Sequence, residues 1–129
     1  PVMMRLETDL VDLVEAALEG RLDSARAEWD PRPALGVVMA AARYPNEPRT
    51  GDVIEGLDAE LPEDSKLFHA GTALDPSGRV ITSGGRVLCA TALGEDIEEA
   101  RETAYAAVKQ VHWEGAFHRS DIGWRALDR

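Results

Sequence analysis

Apolar side chains recur at helical spacing in the first twenty residues. Between Thr8 and Gly20, leucine, valine and alanine return every three or four positions, while acidic residues occupy the other side. This periodicity predicts an amphipathic helix with Thr8 as its N-cap and Gly20 as its C-terminal stop. The apolar stripe consists of Leu6, Leu10, Leu13, Val14, Ala17 and Leu18. A single helix cannot bury such a stripe, so we expect it to pack on the rest of the chain or on polypeptide that precedes Pro1.

Uninterrupted apolar runs farther along the chain predict buried strands. The run ALGVVMAA, 34–41, lies between prolines, which prevent a helix from continuing across either border. The run RVLCATAL, 86–93, follows Gly84 and Gly85 directly and is apolar enough for burial on both faces. Shorter strands are expected at 53–54, in KLFHAGTAL and in RVITS. The intervening DPSG predicts a hairpin turn.

A second amphipathic helix is predicted after the strand at 86–93. Asp96 with Glu99 resembles a capping box, and one apolar face continues to about His112. We expect 122–127 to close the sheet as an edge strand. The predicted fold class is therefore α+β: an N-terminal helix, then a small antiparallel-sheet domain with a packed C-terminal helix. A domain boundary is expected near Arg32 and divides the chain into 1–31 and 32–129.

Charge and cysteine content narrow the classes of partner. The 129 residues include 24 acidic and 14 basic residues, a formal net charge of -10, which disfavours binding to nucleic acid or to an anionic membrane. A small anionic ligand would need a local basic pocket. Cys89 has no partner for an intramolecular disulfide, as expected of a reducing cytoplasm, and is expected to be an inert core residue. The chain opens on Pro1, so we expect it to begin inside a longer protein.

Arg86 is the strongest candidate for ligand binding. The two preceding glycines let backbone approach a ligand closely, and a guanidinium can hold a phosphate through two parallel hydrogen bonds. The alternative is an arginine that starts a strand and pairs with a surface carboxylate. No zinc-ligand spacing, nucleophile elbow, Walker loop or dinucleotide fingerprint occurs. We therefore assign no catalytic and no metal-binding residue.

Other polar and aromatic residues have ordinary structural interpretations. Arg43 and Arg49 lie in a proline-rich loop that can reach over a cleft, but they are expected to be surface loop residues. His69 is expected to be satisfied by a neighbouring carbonyl rather than to act in catalysis. Three aromatic residues of the tail are expected to pack in the core rather than to stack on a ligand: Trp113, Phe117 and Trp124.

Several phrases occur in an order typical of one enzyme family. EWDPRPALGVVMAAARYP, RTGDVIEGL, LFHAGTAL, GRVITSGGRVLCATALG and HWEGAFHRSDIGWRAL together resemble the C-terminal end of glycinamide ribonucleotide synthetase, also called phosphoribosylamine-glycine ligase. This is an ATP-grasp enzyme of purine synthesis. The opening PVMMRLETDLVDLVEAALEG resembles the last helix of its ATP-grasp core. The resemblance covers essentially the whole chain.

The resemblance implies an ATP-dependent carbon-nitrogen ligase. Glycine is activated as an acyl phosphate, 5-phosphoribosylamine attacks it, and Mg²⁺ or Mn²⁺ neutralises charge on the transferring phosphoryl group. The residues that bind ATP and metal in this family lie upstream of Pro1, so the chain would need the missing N-terminal ATP-grasp part and is expected to be inactive alone. By analogy with related purine-pathway enzymes, Arg86, Gly84 and Gly85 are implied substrate contacts. A cytoplasmic monomer is also implied.

Two further interpretations remain open from the sequence. The chain can be a stand-alone module that binds a small ligand or a partner with no catalysis. It can also be a truncated piece that is stable only as a domain. The residues preceding Pro1 would distinguish these interpretations from a ligase component.

Overall fold

A three-stranded antiparallel sheet forms the centre of the computed structural model, which describes residues 1–127. The strands are β1 (Ala34–Ala40), β2 (Ser65–His69), β3 (Thr72–Leu74), β4 (Val80–Thr82) and β5 (Arg86–Leu93). The sheet order is β1-β5-β2, while β3 and β4 form a separate two-stranded hairpin. β5 therefore lies in the middle of the sheet, as its continuous apolar run predicts.

Helices precede and follow the strands. They are α1 (Val2–Arg5), α2 (Leu10–Leu18), a 3₁₀ turn (Leu22–Ser24), α3 (Ile97–Val108) and α4 (Trp124–Leu127). α3 packs on one face of the sheet, and this arrangement confirms the predicted α+β class. No helix within residues 1–127 is both long and apolar enough to cross a membrane.

The core lies between α3 and the sheet. Val37 and Val87 have no exposed surface, and Leu88 is almost fully buried. The buried face of α3 consists largely of alanines, and such small side chains let a helix approach a sheet closely. Gly94 is part of this approach, since a Cβ there would lie 2.3 Å from the Ala100 nitrogen.

The connection between β3 and β4 confirms the predicted hairpin, whereas two other predicted strands differ in the structure. The Asp75 carboxylate accepts hydrogen bonds from the backbone nitrogens of Ser77 and Arg79, at 2.8 and 2.9 Å, and fixes the DPSG turn. The predicted strand at 53–54 is only an isolated bridge between Val53 and Ile81. The run KLFHAGTAL is divided into β2 and β3 at Gly71, where backbone passes too close to Arg86 for a side chain.

The helix predicted between Thr8 and Gly20 is shorter in the structure, where it is α2 (Leu10–Leu18), and most of its apolar stripe is exposed. Asp9, not Thr8, is the N-cap of α2, because its carboxylate accepts from the Val11 nitrogen at 2.8 Å. The Thr8 hydroxyl instead accepts from the Glu28 nitrogen. The left-handed backbone of Gly20 confirms it as the stop. Leu10, Val14 and Leu18 are 48%, 48% and 83% exposed, so most of the stripe is not buried against the described part of the chain.

The predicted edge strand at 122–127 is wrong. Gly123 has a positive φ of 81°, and α4 follows it immediately. The open edge of β1 is taken instead by Phe117, which exchanges two backbone hydrogen bonds with Ala40 at 2.8 and 3.1 Å. α3 also ends at Val108 rather than near His112. Its cap is Asp96, as predicted, and the carboxylate accepts from the Glu99 nitrogen at 2.9 Å.

Candidate functional site

A recess lies beside β1 on the sheet face that α3 does not cover, with a cavity volume of about 250 Å³. Its apolar and aromatic lining residues are Gly36, Val38, Ala40, Tyr44, Phe117 and Ile122. Three cationic or titratable side chains complete the lining: Arg86, His118 and Arg119. We call this cavity the Arg86 recess. It has no carboxylate among these residues, although the chain as a whole is strongly acidic.

Strand pairing places Arg86 at this recess. Alternate residues of a strand point to opposite faces, so the buried Val37 and Met39 face the core while Val38 and Ala40 face the recess. Arg86 is the Cα partner of Ala40 at the irregular end of the β1–β5 ladder. The first residue of β5 therefore lies directly beside the recess wall.

The guanidinium of Arg86 is exposed and available. Within residues 1–127 it forms no ion pair and no side-chain hydrogen bond. Arg32, by contrast, is held by Asp30 at 2.8 Å and Asp64 at 2.7 Å. The alternative interpretation of Arg86, pairing with a surface carboxylate, does not describe this structure.

The two glycines before Arg86 make room for protein atoms. A Cβ on Gly85 would lie 2.5 Å from Cδ2 of Tyr44, and a Cβ on Gly84 would lie 3.2 Å from Cα of Gly71. These glycines thus allow the Tyr44 ring and the β2–β3 connection to pack against the entry to β5. Neither is among the residues that line the recess. A direct ligand contact by Gly84 or Gly85 stays a prediction.

Aromatic residues of the tail divide between core and surface. Trp113 is 1% exposed and confirms the expected core role. Phe117 and Trp124 are 46% and 47% exposed, so the expectation of core packing is wrong for them. The Phe117 ring is 6.5 Å from the Tyr44 ring, centroid to centroid, and the two rings form an aromatic part of the recess wall.

Arg119 is a second cation at the recess that sequence reasoning missed. Its Nε and Nη2 donate to the two carboxylate oxygens of Asp121 at 2.8 and 2.6 Å. These hydrogen bonds raise the pKa of Arg119 and lower the pKa of Asp121. The only available signal was the adjacency of His118 and Arg119 to Phe117, and it required knowing that Phe117 pairs with β1.

The remaining candidates lie apart from the recess. Arg49 is held by the Asp52 carboxylate at 2.8 Å and by the Glu114 carbonyl at 2.8 Å. Nη1 of Arg43 lies 3.9 Å from Oε2 of Glu47. Arg43 and Arg49 thus both make surface contacts, as expected. His69 Nδ1 lies 3.0 Å from the Thr72 hydroxyl, where a carbonyl partner was predicted.

Cys89 and the acidic side chains are not among the residues that line the Arg86 recess. The Cys89 thiol is partly buried, 3.5 Å from the Thr91 hydroxyl. Within residues 1–127, no group of three or more histidine, cysteine and acidic side chains converges as a metal site would require. The acidic, histidine and cysteine side chains of residues 1–127 therefore do not form a donor set that fits a bound Mg²⁺ or Mn²⁺ ion.

Comparisons with known proteins agree on one family. The family model described as "Phosphoribosylglycinamide synthetase, C domain" matches residues 34–125. Phosphoribosylamine–glycine ligases from Xanthomonas axonopodis pv. citri, Xylella fastidiosa (strain Temecula1) and Escherichia coli O157:H7 are 61%, 64% and 57% identical over all 129 residues. The chain spans about 30% of the length of these relatives.

A solved structure extends the similarity to the fold. The crystal structure of phosphoribosylamine–glycine ligase from Thermotoga maritima superposes with a TM-score of 0.67 at 40% identity. The match covers 86% of this chain and 27% of that one.

Proposed function

Because the chain belongs to the phosphoribosylglycinamide synthetase C-domain family, we propose that it is the C-terminal part of a phosphoribosylamine–glycine ligase of purine biosynthesis. The complete enzyme joins glycine to 5-phosphoribosylamine with ATP hydrolysis and gives glycinamide ribonucleotide. High identity across all 129 residues, to relatives more than three times as long, supports this proposal. We further propose that 32–129 is the C-terminal domain and that 1–31 connects it to the ATP-grasp core. The family match from residue 34 supports that boundary.

The side chains present indicate which ligands each part of such an enzyme would bind. ATP and its Mg²⁺ or Mn²⁺ ion would be bound by the N-terminal ATP-grasp part, since the acidic residues of α2 form a dispersed surface row. When bound, the metal ion supplies charge neutralisation for phosphoryl transfer. The C-terminal domain would supply a wall of the cleft for the anionic substrate. The exposed apolar stripe of α2 would pack on the ATP-grasp part.

Arg86 carries the proposed substrate role. The supporting observation is a guanidinium without a protein partner among residues 1–127, placed at a recess whose other walls are largely apolar. An arginine at such a position can hold a phosphate bidentately, and attraction between charges is stronger beside apolar walls than in bulk water. Holding the phosphate of 5-phosphoribosylamine would orient its amine toward the activated glycine, which lowers the entropic part of the barrier.

We also propose a cytoplasmic monomer that binds neither nucleic acid nor membrane. The single thiol and the acidic surface support this assignment. The substrates would be 5-phosphoribosylamine, glycine and ATP, and the polypeptide partner would be the ATP-grasp part of the same enzyme.

Reassembly of the enzyme from two pieces tests this function. We expect the 129-residue chain alone to release no phosphate from ATP with glycine and 5-phosphoribosylamine. Mixed with the separately produced remainder of a matching ligase, it should restore glycinamide ribonucleotide synthesis. The matched control is the same remainder mixed with an unrelated acidic domain. Synthesis by the isolated chain would contradict the proposal. A folded chain that never restores activity but binds a small ligand by itself would favour the stand-alone binding module.

A further inference from the structure

The Arg86 recess contains a second guanidinium in addition to Arg86. We propose that Arg119 is a second phosphate-binding residue of this recess, and that Arg101 and Tyr105 on α3 are positioning residues that hold it in place. This inference rests on the proposed function, because the ligand it names is the ribose phosphate monoester of the ligase substrate. It adds residues from the tail to a site first identified at the start of β5.

Asp121 orients Arg119 without using all of its donors. The carboxylate takes Nε–H and one Nη2–H along one edge of the planar guanidinium. A guanidinium has five N–H donors in a fixed fork, so three remain, including both on Nη1. Within residues 1–127, no other side-chain hydrogen bond or ion pair uses them. Arg86, whose guanidinium has no partner among residues 1–127, and Arg119, whose second edge is free, thus line the same cavity.

Two side chains of α3 clasp the backbone that carries Arg119. Arg101 donates from Nε to the Ile122 carbonyl and from Nη2 to the Ser120 carbonyl, each at 3.0 Å. The Tyr105 hydroxyl donates to the Arg119 carbonyl at 2.6 Å and accepts from the Ile122 nitrogen at 3.2 Å. Four hydrogen bonds therefore tie 119–122 to a helix that is packed on the core. This segment lacks sheet pairing of its own, so the clasp accounts for its position.

The size and lining of the recess favour a sugar monophosphate over a nucleotide. At about 250 Å³ the cavity is smaller than the roughly 300 to 1,000 Å³ typical of sites for drug-sized ligands. Arg86 and Arg119 offer two guanidiniums to one phosphate monoester, with the charge of Arg119 partly offset by Asp121. Val38, Phe117 and Ile122 offer an apolar surface for an uncharged ring beside it. A polyphosphate would bring more charge than these side chains neutralise.

Titration of the 129-residue chain with ribose 5-phosphate tests the inference. NMR signals of the arginine Nε–H groups report on Arg86 and Arg119 separately, and ribose without phosphate serves as the comparison ligand. We expect saturable shifts at both arginines with ribose 5-phosphate only. Arg119→Gln and Arg86→Gln should each weaken binding by roughly tenfold, the usual effect of removing a hydrogen bond to a charged group. Arg119→Lys should weaken it less than Arg119→Gln.

The control and the positioning test use residues outside the recess. Arg26→Gln removes an exposed arginine away from the recess, so it should leave binding unchanged. Tyr105→Phe should weaken the binding of ribose 5-phosphate while the chain stays folded. Added to the Arg119→Gln variant, the same change should weaken binding hardly any further. Such non-additivity is expected if the hydroxyl acts through Arg119. Equal losses from Tyr105→Phe in both backgrounds would show that Tyr105 has only a general structural role and would overturn its assignment.

The outcomes separate this inference from the proposed function. Unchanged affinity in folded Arg119→Gln, with a loss in Arg86→Gln, overturns the second-arginine site and leaves the ligase proposal intact. Binding of ribose as tight as that of ribose 5-phosphate overturns the phosphate assignment. Failure of the unmodified chain to bind ribose 5-phosphate also overturns the inference, whereas the reassembly experiment decides the ligase activity independently.

Discussion

At the residue scale, ion pairs connect segments that are distant in sequence. Arg32, in the connector before β1, donates to Asp30 and to Asp64, which lies immediately before β2. The hydrogen bonds from Arg32 hold the pKa of Asp30 below its ordinary value of 3.8. Asp75 and Asp121 also have lowered pKa values, the former chiefly through the Arg79 backbone N–H and the latter through the Arg119 side chain. All three carboxylates are expected to favour folding only while ionised.

Acid should therefore destabilise the chain, and Arg32→Gln should reduce that sensitivity. Because the folded-state pKa of Asp30 is lowered, its contribution is fully present above the ordinary aspartate pKa and is lost as pH falls through the folded-state value. Urea unfolding midpoints measured from neutral pH down to about pH 2 test this. As pH falls, the unfolding midpoint of the Arg32→Gln variant should decrease less than that of the parent chain. The midpoint of Arg26→Gln should decrease as much as that of the parent. Identical profiles for Arg32→Gln and the parent chain would contradict the role of this pair.

Gly85 should resist substitution because of the Tyr44 ring. An added methyl would lie 2.5 Å from Tyr44 Cδ2, so the ring or the strand entry must move. We expect Gly85→Ala to lower the free energy of unfolding by about 1 to 3 kcal/mol, as overpacking usually does. Urea denaturation measures the change. Ser83→Ala, at an exposed neighbouring position, should stay within about 0.5 kcal/mol. A neutral Gly85→Ala would show that the ring moves aside freely.

At the element scale, the sequence predicted those strands and turns whose formation depends on residues adjacent in the chain. β1 and β5 were predictable because each is a continuous apolar run, and the β3–β4 hairpin because DPSG sets its turn. α4 was not, because the pairing of Phe117 with Ala40 occupies the edge that 122–127 would have needed. The N-cap of α2 was misplaced by one residue, since Thr8 and Asp9 are both good capping residues and only the fold engages Thr8 with Glu28.

The two long helices should respond differently to removal of their caps. α3 packs on the core, so Asp96→Ala should lower global stability by about 1 kcal/mol. α2 buries only Ala16, so Asp9→Ala should fray that helix with little effect on the sheet domain. Urea denaturation followed by tryptophan fluorescence, in which the buried Trp113 reports on the core, measures the first effect. Amide hydrogen exchange in α2 measures the second. A larger loss of global stability from Asp9→Ala than from Asp96→Ala would contradict this description of the packing.

At the scale of the whole molecule, the site is assembled from distant parts of the chain. The glycine pair and its arginine could be predicted as a candidate from residues 84–86 alone. The recess could not, because it also requires Tyr44 from the loop after β1 and 117–122 from the tail. Those segments meet only through the Ala40–Phe117 pairing and the clasp from α3. Sequence periodicity carries no signal for either contact.

The two N-terminal helices, α1 and α2, also expose a large apolar surface. Exposed apolar residues there include Val2, Met3, Leu10, Val11, Val14 and Leu18. Large exposed apolar patches generally mark interaction surfaces. These residues are the surface that, under the proposed function, the ATP-grasp part of the longer ligase would cover. The acidic side of α2 would then remain in solvent.

We propose above all that Arg86 of this chain contacts the phosphate of 5-phosphoribosylamine in the complete ligase. Steady-state kinetics of a complete ligase containing this C-terminal sequence, with and without Arg86→Gln, test it most directly. We expect KM for 5-phosphoribosylamine to rise roughly tenfold or more, while KM for ATP stays unchanged and Arg26→Gln behaves as the parent. An unchanged KM for 5-phosphoribosylamine in a folded Arg86→Gln enzyme would contradict it.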